Sequence, residues 1–196
     1  TDTLLMRANV NLVTDPNYLQ QLSNSGTQRA LPSNETNLLL NQRLLYGNMY
    51  MLGQYLQPLQ AGGTDTFQRL PETGYSLPNT SLFNSPLLFG MDGDFVNFYR
   101  EQGFGLNRVN VTPGLSTDVI DLGHVLGITP QAKFREVYYT RGAQSEDAIH
   151  RETFWAGADA SSKLSRRFGL DGGGSLLHTI EPKVMYEYVP GTDQSK

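Results

Sequence analysis

Asp92 and Asp94 are the residues of this chain best spaced for shared chemistry. Two apart on a strand, they share a face and stand roughly 7 Å from one another. Paired carboxylates can do acid–base work or hold a hard cation such as Ca²⁺. The simpler reading, two carboxylates on a hydrated surface, is preferred. The three histidines, His124, His150 and His178, are far apart and none has metal-ligand spacing. Serine is abundant, but no Gly-x-Ser-x-Gly is present. Gly172, Gly173 and Gly174 lack the lysine of a phosphate-binding loop and read as a turn. Asn34, Asn79 and Asn110 head formal glycosylation sequons, as chance allows in a chain rich in Asn and Thr. Cysteine is absent, so these residues hold neither a disulfide nor a thiolate site. The expectation is a protein that is not an enzyme, with no metal and no cofactor.

The elements that must position these side chains are strands. Side chains alternate between faces along a strand, so a period of two separates an apolar face from a wet one. In 176–188 the even positions Leu176, His178, Ile180, Pro182, Val184, Tyr186 and Tyr188 form the greasier series. Thr179, Glu181, Lys183 and Glu187 oppose them, with Met185 the exception. His178 is read as an interfacial or packing residue. In 87–99 the odd series Leu87, Phe89, Met91, Gly93, Phe95, Asn97 and Tyr99 opposes Asp92 and Asp94, with Arg100 at the end. The alternation runs through Asp92-Gly93, so a continuous strand is expected there rather than a turn. Segment 4–12 places Leu4, Met6, Ala8, Val10 and Leu12 opposite Arg7, Asn9 and Asn11. Segment 107–115 places Val109, Val111 and Leu115 opposite Arg108, Asn110 and Thr112. Phe154, Ala156, Ala158 and Ala160 alternate with Thr153, Trp155, Gly157 and Asp159. Segments 36–46 and 50–56 read as less regular strands, with Gln42 on the greasier face.

Turn chemistry marks loops at 15–17, 23–26, 61–65, 78–79, 142–147 and 171–174. About eight to ten antiparallel strands follow, with no helix and no internal domain boundary across residues 1–196. Pro113 and Pro182 fall inside strand patterns, where each removes a ladder donor, and should mark starts, bulges or weak pairing.

Strand length separates two β architectures. Soluble sandwiches mostly use strands of about five or six residues, whereas a strand spanning a membrane needs about nine to eleven. The patterns at 87–99 and 176–188 are of the longer kind. Phe95, Tyr99, Tyr186 and Tyr188 gather near strand ends, as aromatic girdles at membrane interfaces do. No stretch approaches the roughly 18 apolar residues of a helical span. A mean hydropathy of −0.38 is compatible with a barrel, whose alternation averages out. Ten Tyr, nine Phe and 17% charged residues suit a β protein, and a net charge of −4 argues against nucleic acid as a partner. The chain opens Thr-Asp-Thr, so a processed chain or an excised piece is expected.

The closing segment also carries a resemblance. His178-x-Ile180-x-Pro182, then Tyr186-x-Tyr188-Val189-Pro190, then Asp193-Gln194, resembles the barrel of the lipopolysaccharide-assembly outer-membrane proteins (the LptD, or organic-solvent-tolerance, family). In the same order, Asp15-Pro16-Asn17-Tyr18, Arg69-Leu70-Pro71-Glu72, Phe98-Tyr99-Arg100 with Gly103, Arg108 and Pro113, then Pro130 and Tyr138, then Leu164-Ser165-Arg166 with Phe168, resemble that family's elements.

The resemblance implies an antiparallel transmembrane β-barrel of the Gram-negative outer membrane that inserts lipopolysaccharide into the outer leaflet. It implies an LptE-like lipoprotein plug in the lumen, and periplasmic lipopolysaccharide-bridge proteins reached through domains outside this chain. A barrel of 26 strands at about ten residues each needs some 260 residues before any turn, so the chain is expected to be a middle portion. Arg7, Asp92, Asp94, Arg100, Arg108, Lys183 and Glu187 then become candidate lumen contacts to substrate or plug. Arg and Lys there could meet lipid phosphates, or each other, carboxylates or the plug. The rival readings are a soluble all-β carbohydrate-binding module and, third, an outer-membrane barrel enzyme.

Overall fold

The computed structural model describes residues 3–59, 66–141, 147–169 and 172–191. Among them, twelve strands and two short helices follow one another: β1 (Leu4–Asn9), α1 (Tyr18–Leu22), α2 (Gly26–Arg29), β2 (Ser33–Arg43), β3 (Asn48–Pro58), β4 (Gln68–Ser81), β5 (Leu87–Tyr99), β6 (Leu106–Thr117), β7 (Ile120–Leu122), β8 (Leu126–Tyr139), β9 (Ile149–Ser161), β10 (Leu164–Gly169), β11 (Ser175–Ile180) and β12 (Lys183–Tyr188). The main sheet has the order β1-β2-β3-β4-β5-β6-β8-β9-β12, with β7 beside β8, while β10 and β11 pair as a separate ribbon. The all-β antiparallel expectation holds. β1 and β12 stand at the two ends of the order.

Several expectations are corrected. Both β4 and β8 run for fourteen residues where no strand was expected. The turn expected at Pro78-Asn79 lies inside β4. Prolines at 71, 78 and 130 blur the period of these two strands, and neighbours on both sides hold them extended all the same. Strand β2 ends at Arg43, so Leu44 and Tyr46 belong to the turn before β3. Helical turns occupy Tyr18–Leu22 and Gly26–Arg29, where no helix was expected. An Asx turn does form at Asp15, whose carboxylate accepts the Asn17 N–H at 2.9 Å. β5 is unbroken through Asp92-Gly93. The loop read at 61–65, residues 142–146 of the loop read at 142–147, and Asp171 of the loop read at 171–174 lie outside the described residues.

The pattern at 176–188 is two six-residue strands rather than one of thirteen. β11 pairs β10 and β12 pairs β9, yet the register does not change. Ser161 faces Lys183, and three residues on Leu164 faces Ile180. One long hairpin is interrupted where Pro182 has no N–H to give. The Ser162 N–H still reaches the Pro182 carbonyl at 3.0 Å, and Lys163 meets Glu181 at 2.7 Å.

The chain groups into two compact units. The first comprises Thr1–Leu77, Asp92–Val111 and Glu136–Arg151. Its registers sort side chains by face. Met6, Leu40, Met51 and Thr73 succeed one another across β1 to β4 on one face, as do Leu4, Gln42, Met49 and Tyr75. Arg7, Leu39, Leu52 and Glu72 make the corresponding row on the other face. Gln42 thus lies on the greasier face, as expected. On that apolar face Met6 is 64% exposed, and Met49, Met51, Phe95 and Val109 are also open.

The apolar side chains that are buried among the described residues, Leu59, Val96 and Val137, all lie in this first unit. Side chains extend the pairing past the end of β1. The Thr36 hydroxyl accepts the Asn11 N–H at 3.0 Å and donates to its carbonyl at 3.1 Å. The Gln57 amide clasps the backbone of Val13 in the same way. Each clasp satisfies backbone groups that no strand reaches.

The second unit comprises Pro78–Met91, Thr112–Arg135 and Glu152–Lys196. In it Ala156, Ala158 and Ala160 face Tyr188, Tyr186 and Val184, small against large. Tyr186 is 65% exposed. Every residue of β10, β11 and β12 is exposed.

Candidate functional site

The densest polar cluster of the first unit is built by β3 to β6. Tyr50 on β3 faces Gly74 on β4, and Leu52 faces Glu72. Without a side chain at Gly74, the Tyr50 ring lies across that glycine's backbone, an aromatic covering a strand glycine. From there the phenol donates to the Glu72 carboxylate at 2.9 Å. Two residues further along β3 the register slips: Gln54 faces Arg69, so β4 holds one extra residue beside Pro71. The slip brings Arg69 to the same carboxylate, at 3.2 Å.

On β5 and β6 the even residues continue this face. Ser76 donates to Asp92 at 2.6 Å. Asp94 accepts from Arg108 and from the Asn110 amide, both at 2.7 Å. Arg108 lies 5.7 Å from the Phe98 ring centre, Phe98 meets Phe67 edge to face at 5.9 Å, and Arg100 stacks 3.6 Å over Phe67. Guanidinium on an aromatic face is favourable and strengthens where water is thin. Here Asp94 and Arg108 are 19% and 29% exposed at the side chain.

Of the candidate residues, Asp94 and Arg108 are in direct contact. Asp92 pairs with Ser76 instead, so each member of the aspartate pair is held by its own donor. Arg100 sits at the end of β5 against Phe67. Arg7 is exposed in β1, opposite Leu39. In the second unit Lys183 meets Asp159 at 2.9 Å, and Glu187 faces Gly157. His178 stands in β11 opposite Arg166, and His124 in the turn after β7 meets Asp121 at 2.6 Å.

Tyr50, Arg69, Glu72 and Asn110 belong to the cluster but were not among the candidates. The signal for Asn110 was in the sequence, two residues after Arg108 on the same face. Tyr50 and Arg69 join only through the glycine gap and the register slip. Chemically the cluster offers hydrogen bonds and compensated charge: carboxylates each met by a donor, and guanidinium groups with faces covered by rings. Such a surface can exchange partners with hydroxyls and phosphates.

Long antiparallel strands with an apolar face and a cross-bonded polar face define a class: all-β proteins built on one extended antiparallel sheet. The particular family follows from comparison with known proteins. The family described as LPS transport system D (LptD) matches residues 1–196, and the chain belongs to it. It is 27% identical over 209 residues to the LPS-assembly protein LptD of Methylococcus capsulatus, covering 100% of this chain and 19% of that protein. It is 26% identical over 200 residues to the LPS-assembly protein LptD of Nitrosospira multiformis, covering 94% of this chain and 21% of that protein. The chain therefore spans about a fifth of the length of these curated relatives.

Proposed function

We propose that this chain is a section of wall from a transmembrane β-barrel that moves lipopolysaccharide into the outer leaflet of the Gram-negative outer membrane. The observation that carries the reading is the reversed polarity of the strands. Met6, Leu38, Met51, Phe95, Val109 and Val111 are open on one face, while Glu72, Asp92, Asp94 and Arg108 are cross-bonded on the other. In water that arrangement would forgo about 25 cal/mol for each Å² of apolar area left unburied. In hydrocarbon it carries no such penalty.

Strand lengths support the reading. β2 and β3 have eleven residues each and β4 to β6 have twelve to fourteen, against about nine to eleven needed to span. Family membership supports lipopolysaccharide as the substrate class. The polar face, with Arg7, Asp92, Asp94, Arg100, Arg108, Lys183 and Glu187, lines the lumen and meets the sugar–phosphate head group or a lipoprotein plug. Periplasmic lipopolysaccharide-bridge proteins connect to other parts of the whole protein. The wall does no bond chemistry; it binds, guides and releases.

The test places charge on each face of the full-length protein. Phe89→Arg, Met91→Arg or Val109→Arg should each cost about 2–4 kcal/mol if those residues lie near mid-bilayer. Heat-modifiable, folded protein in the outer-membrane fraction should then fall sharply. Thr112→Arg, on the polar face, should leave it near wild type. Equal tolerance of both faces would remove the barrel reading and leave the soluble carbohydrate-binding module in its place.

A further inference from the structure

The ribbon β10–β11 is not explained by a barrel wall. β9 alone has thirteen residues, enough to cross the apolar band at the usual tilt. β10 continues in the same register beyond it, so the ribbon must lie past the hydrocarbon. It is nevertheless apolar. Leu164 faces Ile180, Phe168 faces Leu176, and these pairs share the even face with Val184, Tyr186 and Tyr188 of β12. Leu176 is 56% exposed and Ile180 52%. A two-stranded ribbon with uncovered apolar side chains is marginal in water. The same face holds Arg166 opposite His178, with Arg166 packed 5.1 Å from the Phe168 ring. Arg167 follows on the other face, and neither strand contains an acidic residue.

We infer that β10–β11 docks on the headgroup layer of an anionic phospholipid leaflet. Leu164, Phe168, Leu176 and Ile180 dip below the phosphates, and Arg166 and Arg167 bind them. The inference rests on the barrel reading, because continuity of the apolar face from β12 into β11 supplies the lipid. Two features point to phospholipid. The even face joins aromatic, aliphatic and basic side chains, the composition of an interfacial anchor. Moreover, the connection of this unit between β4 and β5 is a tight turn closed by Leu82 and Ser85, and barrels keep tight turns on the periplasmic side. There the leaflet is phospholipid. The break at Pro182, spanned by the Ser162–Pro182 hydrogen bond and the Lys163–Glu181 pair, lets the ribbon leave the line of the wall.

The experiment uses the full-length protein in nanodiscs of phosphatidylcholine, with or without phosphatidylglycerol. A fluorescent amino acid is introduced by amber suppression at Leu176, Leu177 or Phe89. Its quenching by lipids brominated on the acyl chain is compared with quenching by aqueous iodide. Leu176 should be quenched by bromolipid, as Phe89 is, and Leu177 by iodide. Adding phosphatidylglycerol should strengthen the Leu176 signal. The double variant Arg166→Gln/Arg167→Gln should lose that gain, roughly fivefold in the docking equilibrium for each arginine.

Iodide quenching of Leu176 equal to that of Leu177 in anionic discs, with Phe89 still in lipid, would overturn the inference and leave the barrel standing. Protection of Leu176 from both quenchers would overturn it in favour of a protein partner. An unchanged phosphatidylglycerol gain in the double variant would remove the role of the arginines. If Phe89 itself is quenched by iodide, the barrel reading falls and the inference falls with it.

Discussion

The polar face of β3 to β6 and the ribbon β10–β11 share one device, strict alternation, and differ in what holds their side chains. In the first, Glu72 and Asp94 each have two donors, and rings cover the faces of Arg100 and Arg108. In the second, every residue is exposed, and the ion pair at its base, Lys163–Glu181, is open to solvent. A polar face whose groups bond one another is ordered by the chain itself. An apolar ribbon against which none of the described residues buries a side chain depends on its surroundings. The same period of two therefore codes for internal order in one place and for an external contact in the other.

Substitutions can break or sharpen this contrast. The largest effect is expected from Arg108→Ala in the full-length protein. It takes from Asp94 its charged donor and should cost about 1.5–3 kcal/mol, the range for a hydrogen bond to a charged group, shifted to the lower end by partial exposure. Urea unfolding from detergent, followed by gel mobility, measures it. A double cycle with Asp94→Asn should show coupling; additive costs would mean that the cluster is a set of separate contacts rather than a network.

A smaller loss, about 1 kcal/mol at the low end of overpacking costs, is expected for Gly74→Ala. A Cβ there meets the Tyr50 ring, so the phenol must leave Glu72. Adding Tyr50→Leu to Gly74→Ala should relieve the clash but not restore the hydrogen bond. The same unfolding measurement decides it: a single variant matching wild type would show that Tyr50 is not held by the glycine gap.

The smallest effect belongs to the base of the ribbon, which the barrel reading puts outside the hydrocarbon. The hydrogen bond from Lys163 to Glu181, and the attraction between their charges, raise the lysine pKa above its ordinary 10.5. A raised lysine favours the closed ribbon base fully while the ammonium is charged in both states, below the ordinary value. The preference is lost as pH climbs through the raised value. A fluorophore at Leu177 should therefore report no change in iodide quenching up to about pH 10, then a small rise. Lys163→Met should remove the part of that rise that depends on the pair. An identical alkaline profile in the variant would show that the pair does not hold the base of the ribbon.

Legibility in the sequence follows the same divide. The strand at 87–99 was readable through Asp92-Gly93 because thirteen residues of alternation outweigh one turn-like dipeptide. β4 and β8 were not, because their prolines break the period while neighbouring strands still hold the backbone extended. An irregularity at Pro182 was readable, but whether it would be a strand start, a bulge or a weak pairing was not. Whether a missing donor ends a strand or only interrupts a hairpin depends on the partner opposite, here Ser162. In the polar cluster, Asp94 and Arg108 were both named as candidates, yet their pairing required β5 and β6 to lie side by side in one register. Phe67, which stacks under Arg100, lies outside every strand pattern read in the sequence and carried no signal.

Two levels of information are thus separable in this protein. Which face each residue takes was determined by the sequence alone, because the pleat inverts the side chain at every step and needs no partner to do so. Arg7, Asp92, Asp94, Arg108, Val109 and Phe95 therefore declared their faces before any strand was paired. Which residues touch was decided only by the tertiary structure, because contact depends on register, and register is a property of two strands together. One extra residue in β4 carries Arg69 to Glu72, one missing side chain at Gly74 lets Tyr50 reach the same carboxylate, and one missing N–H at Pro182 turns the end of a hairpin into a separate ribbon.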